Sequence, residues 1–201
     1  MNNKAIIFIF ILAKTLSGFS QENQITEVRD ITKLTILNPG VSYEKAIAKF
    51  QSLYIQGFMN TSFYVTYSSS LGSDADIYFD PAVTLQYRYY YNAVRRQAKG
   101  KRTEMNSMNY IGAITETNFS QRRISISHYD QDKLRPINVI GCVWGMQRNY
   151  RSRFSLDLQL GVGFLFTKAT IPDVTGQPVS ETVSLFKGIV QLNLGFWLNK
   201  R

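Results

Sequence analysis

The chain of 201 residues has one cysteine, Cys142, and one histidine, His128. That excludes a disulfide framework and any zinc site built from Cys and His. Charge is scarce: 18% of residues are Asp, Glu, Lys or Arg, against about 25% in soluble domains. Five Pro and thirteen Gly exclude collagen-like or low-complexity character. A 44% apolar content excludes wholesale disorder. Beyond the first twenty residues no run of eighteen uninterrupted apolar residues occurs, so no membrane-spanning helix is expected. No phosphate-cradling glycine loop and no calcium-loop pattern is found. Gly161-Val-Gly163 falls inside a strand pattern, where glycine allows close packing. The length suits one domain.

What is present begins with an address. In MNNKAIIFIFILAKTLSGFSQ, Lys4 precedes the apolar run Ala5–Ala13, and the small residues Gly18 and Ser20 stand ahead of a cut before Gln21. This is the layout of a secretory signal peptide, too short to span a membrane as a helix. The expected organisation is therefore a signal peptide over 1–20 and one domain over 21–201. Removal of 1–20 takes away Lys4 and Lys14 and no acid, so the formal charge of +9 becomes +7. Gln at 21, where a lipidated chain needs Cys, argues against a lipid anchor.

The period of the remaining chain is two. From Phe154 to Phe164, Phe154, Leu156, Leu158, Leu160, Val162 and Phe164 alternate with Ser155, Asp157, Gln159, Gly161 and Gly163. Strict alternation marks a strand with one apolar face. Its length exceeds the usual 5–6 residues and matches the roughly 9–11 of a tilted transmembrane strand. The pattern recurs over Ile77–Tyr91 and Val190–Leu198, and more weakly over Phe50–Tyr67, Tyr110–Phe119 and Ile137–Gln147. In the last of these Ile140, Cys142, Trp144 and Met146 compete with Val139 and Val143, so its facing stays open. An even strand count requires two more strands from Ile25–Lys45, with Asn38-Pro39-Gly40 as the turn between them.

Connections are expected to be long and polar at 68–76, 120–134 and 168–181, and short at 46–49 and 149–152. The basic stretch Asn92–Asn106 breaks this alternation and has room for a helical turn before Gly100. Long loops at one end and short turns at the other describe an outer-membrane barrel. The expected fold is all-β: an eight-stranded antiparallel up-and-down transmembrane β-barrel. A lipocalin-like soluble barrel also alternates, with its apolar face inward. Here the polar face holds Ser, Gln, Asn, Thr and Gly with isolated charges, whereas a water-facing one should be rich in Lys and Glu. Tyr87, Tyr89, Tyr91, Phe154, Phe164 and Phe166 stand at strand ends, where membrane barrels carry aromatic girdles.

The segments DPAVTLQYRYYYNAVRRQAKGKRTEMNSMNY (80–110), WGMQRNYRSRFSLDLQLGVGF (144–164) and QLNLGFWLNK (191–200) resemble an uncharacterised family of small Bacteroidetes-type outer-membrane β-barrel proteins. The resemblance covers most of the mature chain. It implies architecture and an outer-membrane location, and no activity or site residue.

Two charge groups stand out. Arg95, Arg96, Lys99, Lys101 and Arg102 crowd one turn, Arg148, Arg151 and Arg153 another, and Lys45, Lys49, Lys200 and Arg201 add to the same side. Loop lengths put this basic rim on the periplasmic side. It suits solubility and anchoring of the turns, with anionic lipid head groups or cell-wall polymer as further contacts. The scatter of the charges and the export signal argue against nucleic acid. Glu44, Arg88 and Asp157 are expected inside the barrel at similar depth, as a paired plug that closes the lumen, with Glu116 and Lys187 farther along. His128, in the run Ser125–Asp132, is read as a solvated loop residue, because neighbours on a polar loop rarely converge into a triad. Asp74, Asp76, Asp130 and Asp132 make at most a weak divalent-ion pattern.

The expected role is non-enzymatic, structural or surface-interacting, without cofactor or metal. Expected partners are outer-membrane lipids, lipopolysaccharide and the insertion machinery, and the expected state is a monomer. The competing readings are a narrow pore for small solutes and a periplasmic ligand-binding barrel.

Overall fold

Alternation sends successive side chains to opposite faces of a strand, and the chain uses it eight times. The computed structural model describes residues 27–68, 72–120, 134–172 and 177–199. The strands are β1 (Ile31–Thr35), β2 (Gly40–Ala48), β3 (Gln51–Ser68), β4 (Gly72–Tyr89), β5 (Asn109–Ser120), β6 (Arg135–Asn149), β7 (Phe154–Pro172) and β8 (Pro178–Trp197). Each pairs antiparallel with the next, and β8 pairs with β1, giving one ring-closed antiparallel sheet. Among the described residues, one α-helix, α1 (Ala93–Ala98), and one 3₁₀ turn (Glu104–Asn106) interrupt this all-β fold.

The stretch from 25 to 45 supplies the first pair, with Asn38 in its turn at a left-handed φ of 55° that Asn tolerates well. The boundary there needs correction, because β2 runs on to Ala48, with a bulge between Ala46 and Ala48. Two expected loops are also corrected. Residues 72–76, with Asp74 and Asp76, belong to β4, and 168–172 and 178–181 extend β7 and β8. Hairpin partners supply the backbone hydrogen bonds there, so a polar composition does not end the strand. Residues 1–20, 121–133 with Ser125, His128, Asp130 and Asp132, and Lys200 and Arg201 lie outside the described residues.

The stagger of the ring can be read from its ladders. Straight across from Lys33 stand Ser42, Gln56, Thr84, Glu116, Val139, Leu165 and Leu185 in turn. On its other side Lys33 faces Trp197, twelve residues beyond Leu185. Such a shear on eight strands tilts them by about 45° and shifts a level by about one and a half residues per ladder.

Faces separate cleanly. Ser155, Asp157 and Gln159 are buried inside the ring, whereas Leu160, Val162 and Phe164 are 43%, 53% and 52% exposed on the outside. On β4, Phe79, Val83, Leu85, Tyr87 and Tyr89 point out and Asp80, Ala82, Thr84, Gln86 and Arg88 point in. The open question of β6 resolves with Ile140, Cys142, Trp144 and Met146 outward and Ile137, Val139 and Val143 inward.

One end of the ring, here the base, carries the β2–β3 and β6–β7 turns, α1 and both ends of the sheet. Residues 27–30 and the β4–β5 connection form a floor across it. Val28, Ala93 and Met108 pack against Tyr90 and Tyr110. The Asn106 side chain accepts from Arg29 N–H and donates to Arg29 C=O, both at 2.8 Å. α1 is followed by Gly100, whose φ of +61° suits glycine. Asn199 closes the seam, accepting from Thr32 N–H at 2.8 Å and donating to Asp30 C=O at 2.9 Å.

Above the base the wall is uneven. β2 meets β3 as far as Gly40 opposite Phe58, and β1 meets β8 as far as Thr35 opposite Gly195. β3 continues to Ser68 and β8 starts at Pro178, with no β3–β8 ladder between them. The short β1–β2 hairpin thus leaves a notch two strands wide.

Candidate functional site

Alternation and stagger together bring one inward side chain from each of seven strands to nearly one level: Lys33, Glu44, Tyr54, Arg88, Tyr110, Gln147 and Asp157. All seven are buried. At this level β8 contributes Gly195, which adds no side chain.

Arg88 is the centre. Its Nη1 lies 3.0 Å from Asp157 Oδ2 and 3.8 Å from Glu44 Oε2. The same nitrogen donates to Gln147 Oε1 at 2.8 Å, and Nε donates to Gln86 Oε1 at 2.8 Å. The guanidinium is sandwiched between two rings, 3.7 Å from the Tyr54 centroid and 4.3 Å from that of Tyr110. Such stacking adds a cation–π attraction where water is excluded.

The anions are held as closely. Glu44 accepts from Ser52 Oγ at 2.7 Å, from Gln147 Nε2 at 3.2 Å and from the Tyr90 hydroxyl. Asp157 accepts from the Tyr110 hydroxyl at 2.8 Å. Lys33 Nζ donates to Gln147 Oε1 at 2.7 Å and stands 4.0 Å from Asp157. Two cations and two anions balance. Buried charge is costly unless paired and hydrogen-bonded; here each charged group has an ion-pair partner and at least one hydrogen bond, with Arg88 Nη2 and Asp157 Oδ2 making none.

Glu44, Arg88 and Asp157, expected together from alternation, are in contact. Lys33, Gln147 and the two stacking tyrosines are further members that local pattern did not single out. Lys33 had a signal in the inward row Ile31, Lys33, Thr35, but its strand is only five residues long. Glu116 faces inward nearer the far end, accepting from Thr84 Oγ1 at 3.0 Å and Asn118 Nδ2 at 2.7 Å. Above the layer, Ser42 Oγ, Gln56 Nε2, Gln159 Nε2 and Asn193 Oδ1 are buried with no protein partner. Ordered water satisfies groups of this kind in interiors.

The second candidate group is the basic rim, and its described members lie together at the base. Arg95 and Arg96 sit on α1 with Lys99 at its end, Lys101 and Arg102 follow, Arg148 ends β6, and Arg151 and Arg153 form the β6–β7 turn. Several hold backbone in place. Arg96 donates to Arg102 C=O at 3.0 Å. Arg148 donates to Gln147 C=O at 2.6 Å and Asn109 Oδ1 at 2.7 Å. Arg153 lies 5.8 Å from the Trp197 ring. Lys45 is paired with Asp30 at 2.6 Å. Arg95, Lys99 and Lys101 are exposed.

Among the described residues no group of three or more His, Cys, Asp or Glu could hold a metal ion. No family model, curated protein or solved structure matches the chain.

Proposed function

We propose that this chain is an outer-membrane protein, an up-and-down transmembrane β-barrel exported with an N-terminal signal peptide. Its role is non-enzymatic: an envelope scaffold that presents its far-end hairpins and loops outside the cell, with the interior closed by the Lys33–Glu44–Arg88–Asp157 layer. One observation carries this reading: the outward faces of the strands form an apolar belt, broken above the β1–β2 hairpin, with an aromatic row at each margin. Tyr43, Tyr87, Tyr89, Tyr91 and Phe196 are exposed near the base, and Phe79, Phe119, Phe164, Phe166 and Phe186 near the other margin. Aliphatic side chains such as Ile55, Val83, Leu85, Ile140, Leu160 and Val190 fill the space between. From Phe154 to Phe166 the climb is about 28 Å, at roughly 3.3 Å per residue and a tilt of about 45°. An outer-membrane belt is about 25 Å tall.

In water this surface would be a very large exposed apolar patch. In lipid it is the solvated one, and the ring leaves no open strand edge along its base half. The basic rim then meets anionic head groups, each cation near the surface contributing on the order of 1 kcal/mol. Membrane fractionation with heat-modifiable gel migration tests the reading. The protein should need detergent for release and migrate faster unheated than boiled. Planar-bilayer recordings should show no steady conductance. Steady large conductance would favour the narrow-pore alternative, and recovery in the soluble fraction would favour a periplasmic ligand-binding barrel.

A further inference from the structure

At the basal margin two cations stand together with no acid to balance them. Arg96 belongs to α1 and Arg148 to the end of β6, and both are half-buried. They are close enough to repel each other, and the Tyr91 and Tyr150 hydroxyls are within electrostatic reach of Arg148. Among the described residues neither guanidinium has a carboxylate partner. The ion pairs at this end are Lys45 with Asp30 and Arg102 with Glu104, at 2.6 and 3.5 Å. Glu104 is the one acid of the β4–β5 connection, and the β6–β7 turn has none.

Hydrogen bonds to the fold fix both side chains without exhausting their donors. Arg96 gives Nε and Nη2 to Arg102 C=O at 3.3 and 3.0 Å. Arg148 gives Nη1 to Met108 C=O at 3.1 Å and to Gln147 C=O at 2.6 Å, and Nη2 to Asn109 Oδ1 at 2.7 Å. Arg96 Nη1 and Arg148 Nε are left without an acceptor among the described residues. Beside them Trp144 Nε1–H donates to the Tyr91 hydroxyl at 2.8 Å, so that hydroxyl still has its own proton to give. Donors held in place in this way cost little further ordering when an acceptor arrives.

We propose that Arg96 and Arg148, with the Tyr91 hydroxyl, bind the phosphate of an anionic phospholipid whose acyl chains lie along the belt beside Trp144. The proposal rests on the membrane reading. Depth selects a lipid: Tyr91 is in the basal aromatic row, and such rings sit at the level of the head groups. Chemistry selects phosphate, whose oxygens match the fork of a guanidinium and can bridge two of them. Charge selects an anionic lipid such as phosphatidylglycerol. A choline or ethanolamine head group would bring an ammonium to a place that already holds two uncompensated cations.

Trp144 is the reporter, because it is exposed in the belt and bonded to Tyr91. Trp197 is buried at the base with its Nε1–H on Tyr150 C=O at 3.0 Å, and a Trp144→Phe variant measures its background. The mature chain is reconstituted in phosphatidylcholine vesicles that contain a minor fraction of lipid brominated in the acyl chains. That fraction is phosphatidylglycerol in one arm and phosphatidylcholine in the other. The expected result is Trp144 quenching several-fold greater with the brominated phosphatidylglycerol. Arg96→Gln/Arg148→Gln should equalise the two arms, whereas Arg95→Gln, an exposed cation on the same helix, should leave the difference intact. Folding is checked by heat-modifiable migration. If the double variant does not fold, Arg96→Gln alone, which spares the bonds of Arg148, should reduce the difference. Equal quenching in the unmodified chain overturns the lipid site and leaves the membrane reading standing; it is the result if the guanidinia serve inorganic phosphate or a cell-wall polymer. A difference that survives loss of the guanidinia overturns the assignment to these residues. Trp144 unquenched in vesicles made wholly of brominated phosphatidylcholine overturns the membrane reading and this inference with it.

Discussion

At the scale of single residues, Arg88 is the side chain on which most depends. It touches both buried anions and both stacking rings, and its removal leaves Glu44 and Asp157 with Lys33 as the one remaining cation of the layer. Breaking a buried pair by losing one partner costs about 3–5 kcal/mol, because the other charge stays desolvated. Arg88→Met should lose about that much, measured by urea unfolding in vesicles. Arg88→Met/Asp157→Asn keeps the layer neutral, with Lys33 against Glu44. The double variant should therefore lose less than the two single losses added together, and strict additivity would argue against the pairing.

Asp30 gives a residue-scale pH effect outside the strands. Its hydrogen bond from Lys45, then that from Ala46 N–H, holds its carboxyl below the ordinary carboxylate range. A lowered folded value stabilises the clasp above the carboxyl's unfolded pKa, and the effect is lost as pH falls through the folded one. The segment 27–30 should become more protease-sensitive below about pH 4. The effect should be small and weakened by salt, because the pair is exposed.

At the scale of elements, glycine decides how closely two strands' side chains approach. A Cβ on Gly145 of β6 would collide with the Tyr110 ring of β5, the ring that covers Arg88 and bonds Asp157. Gly145→Val should displace Tyr110 and lower the temperature of the gel-mobility shift. Gly57→Val, outward over open space, should leave that temperature nearly unchanged. The strands themselves were largely legible, because alternation on β4 and β7 assigns every side chain to its face. β6 was ambiguous for a physical reason: Val139 and Val143 join an apolar cluster inside the ring, so both faces of that strand are apolar. The ends of β4, β7 and β8 look like loops in the sequence because the polar residues there are paired in hairpins, which composition does not reveal. The Tyr54–Arg88–Tyr110 sandwich depends on register across three strands, which no local pattern carries.

At the scale of the whole molecule, the belt makes depth the controlling variable. Leu160 lies near mid-belt and Leu198 at its basal margin, and both are exposed on the outer face. In lipid, Leu160→Arg should cost about 2–4 kcal/mol and Leu198→Arg about 0–1. Around a water-facing barrel both would be nearly neutral, so equal small effects in vesicle unfolding would count against the membrane reading. The outward charges on described strand faces, Lys45, Arg148 and Lys168, stand at or beyond the margins of the belt, consistent with that gradient. The belt was foreseeable from strand pattern. The notch was not, because it arises from unequal lengths of paired neighbours and appears only once the ladders are joined.

The bonds of Asn199 to Thr32 and Asp30 bridge sequence separations of 167 and 169 residues. The first strand therefore has to wait for almost the last residue of the chain before its outer edge is covered. Until then the growing sheet is an open ribbon with two sticky borders, and borders of that kind invite wrong pairing. Assembly of this molecule is an end-to-end event, and trimming even a handful of C-terminal residues should strand it unfinished.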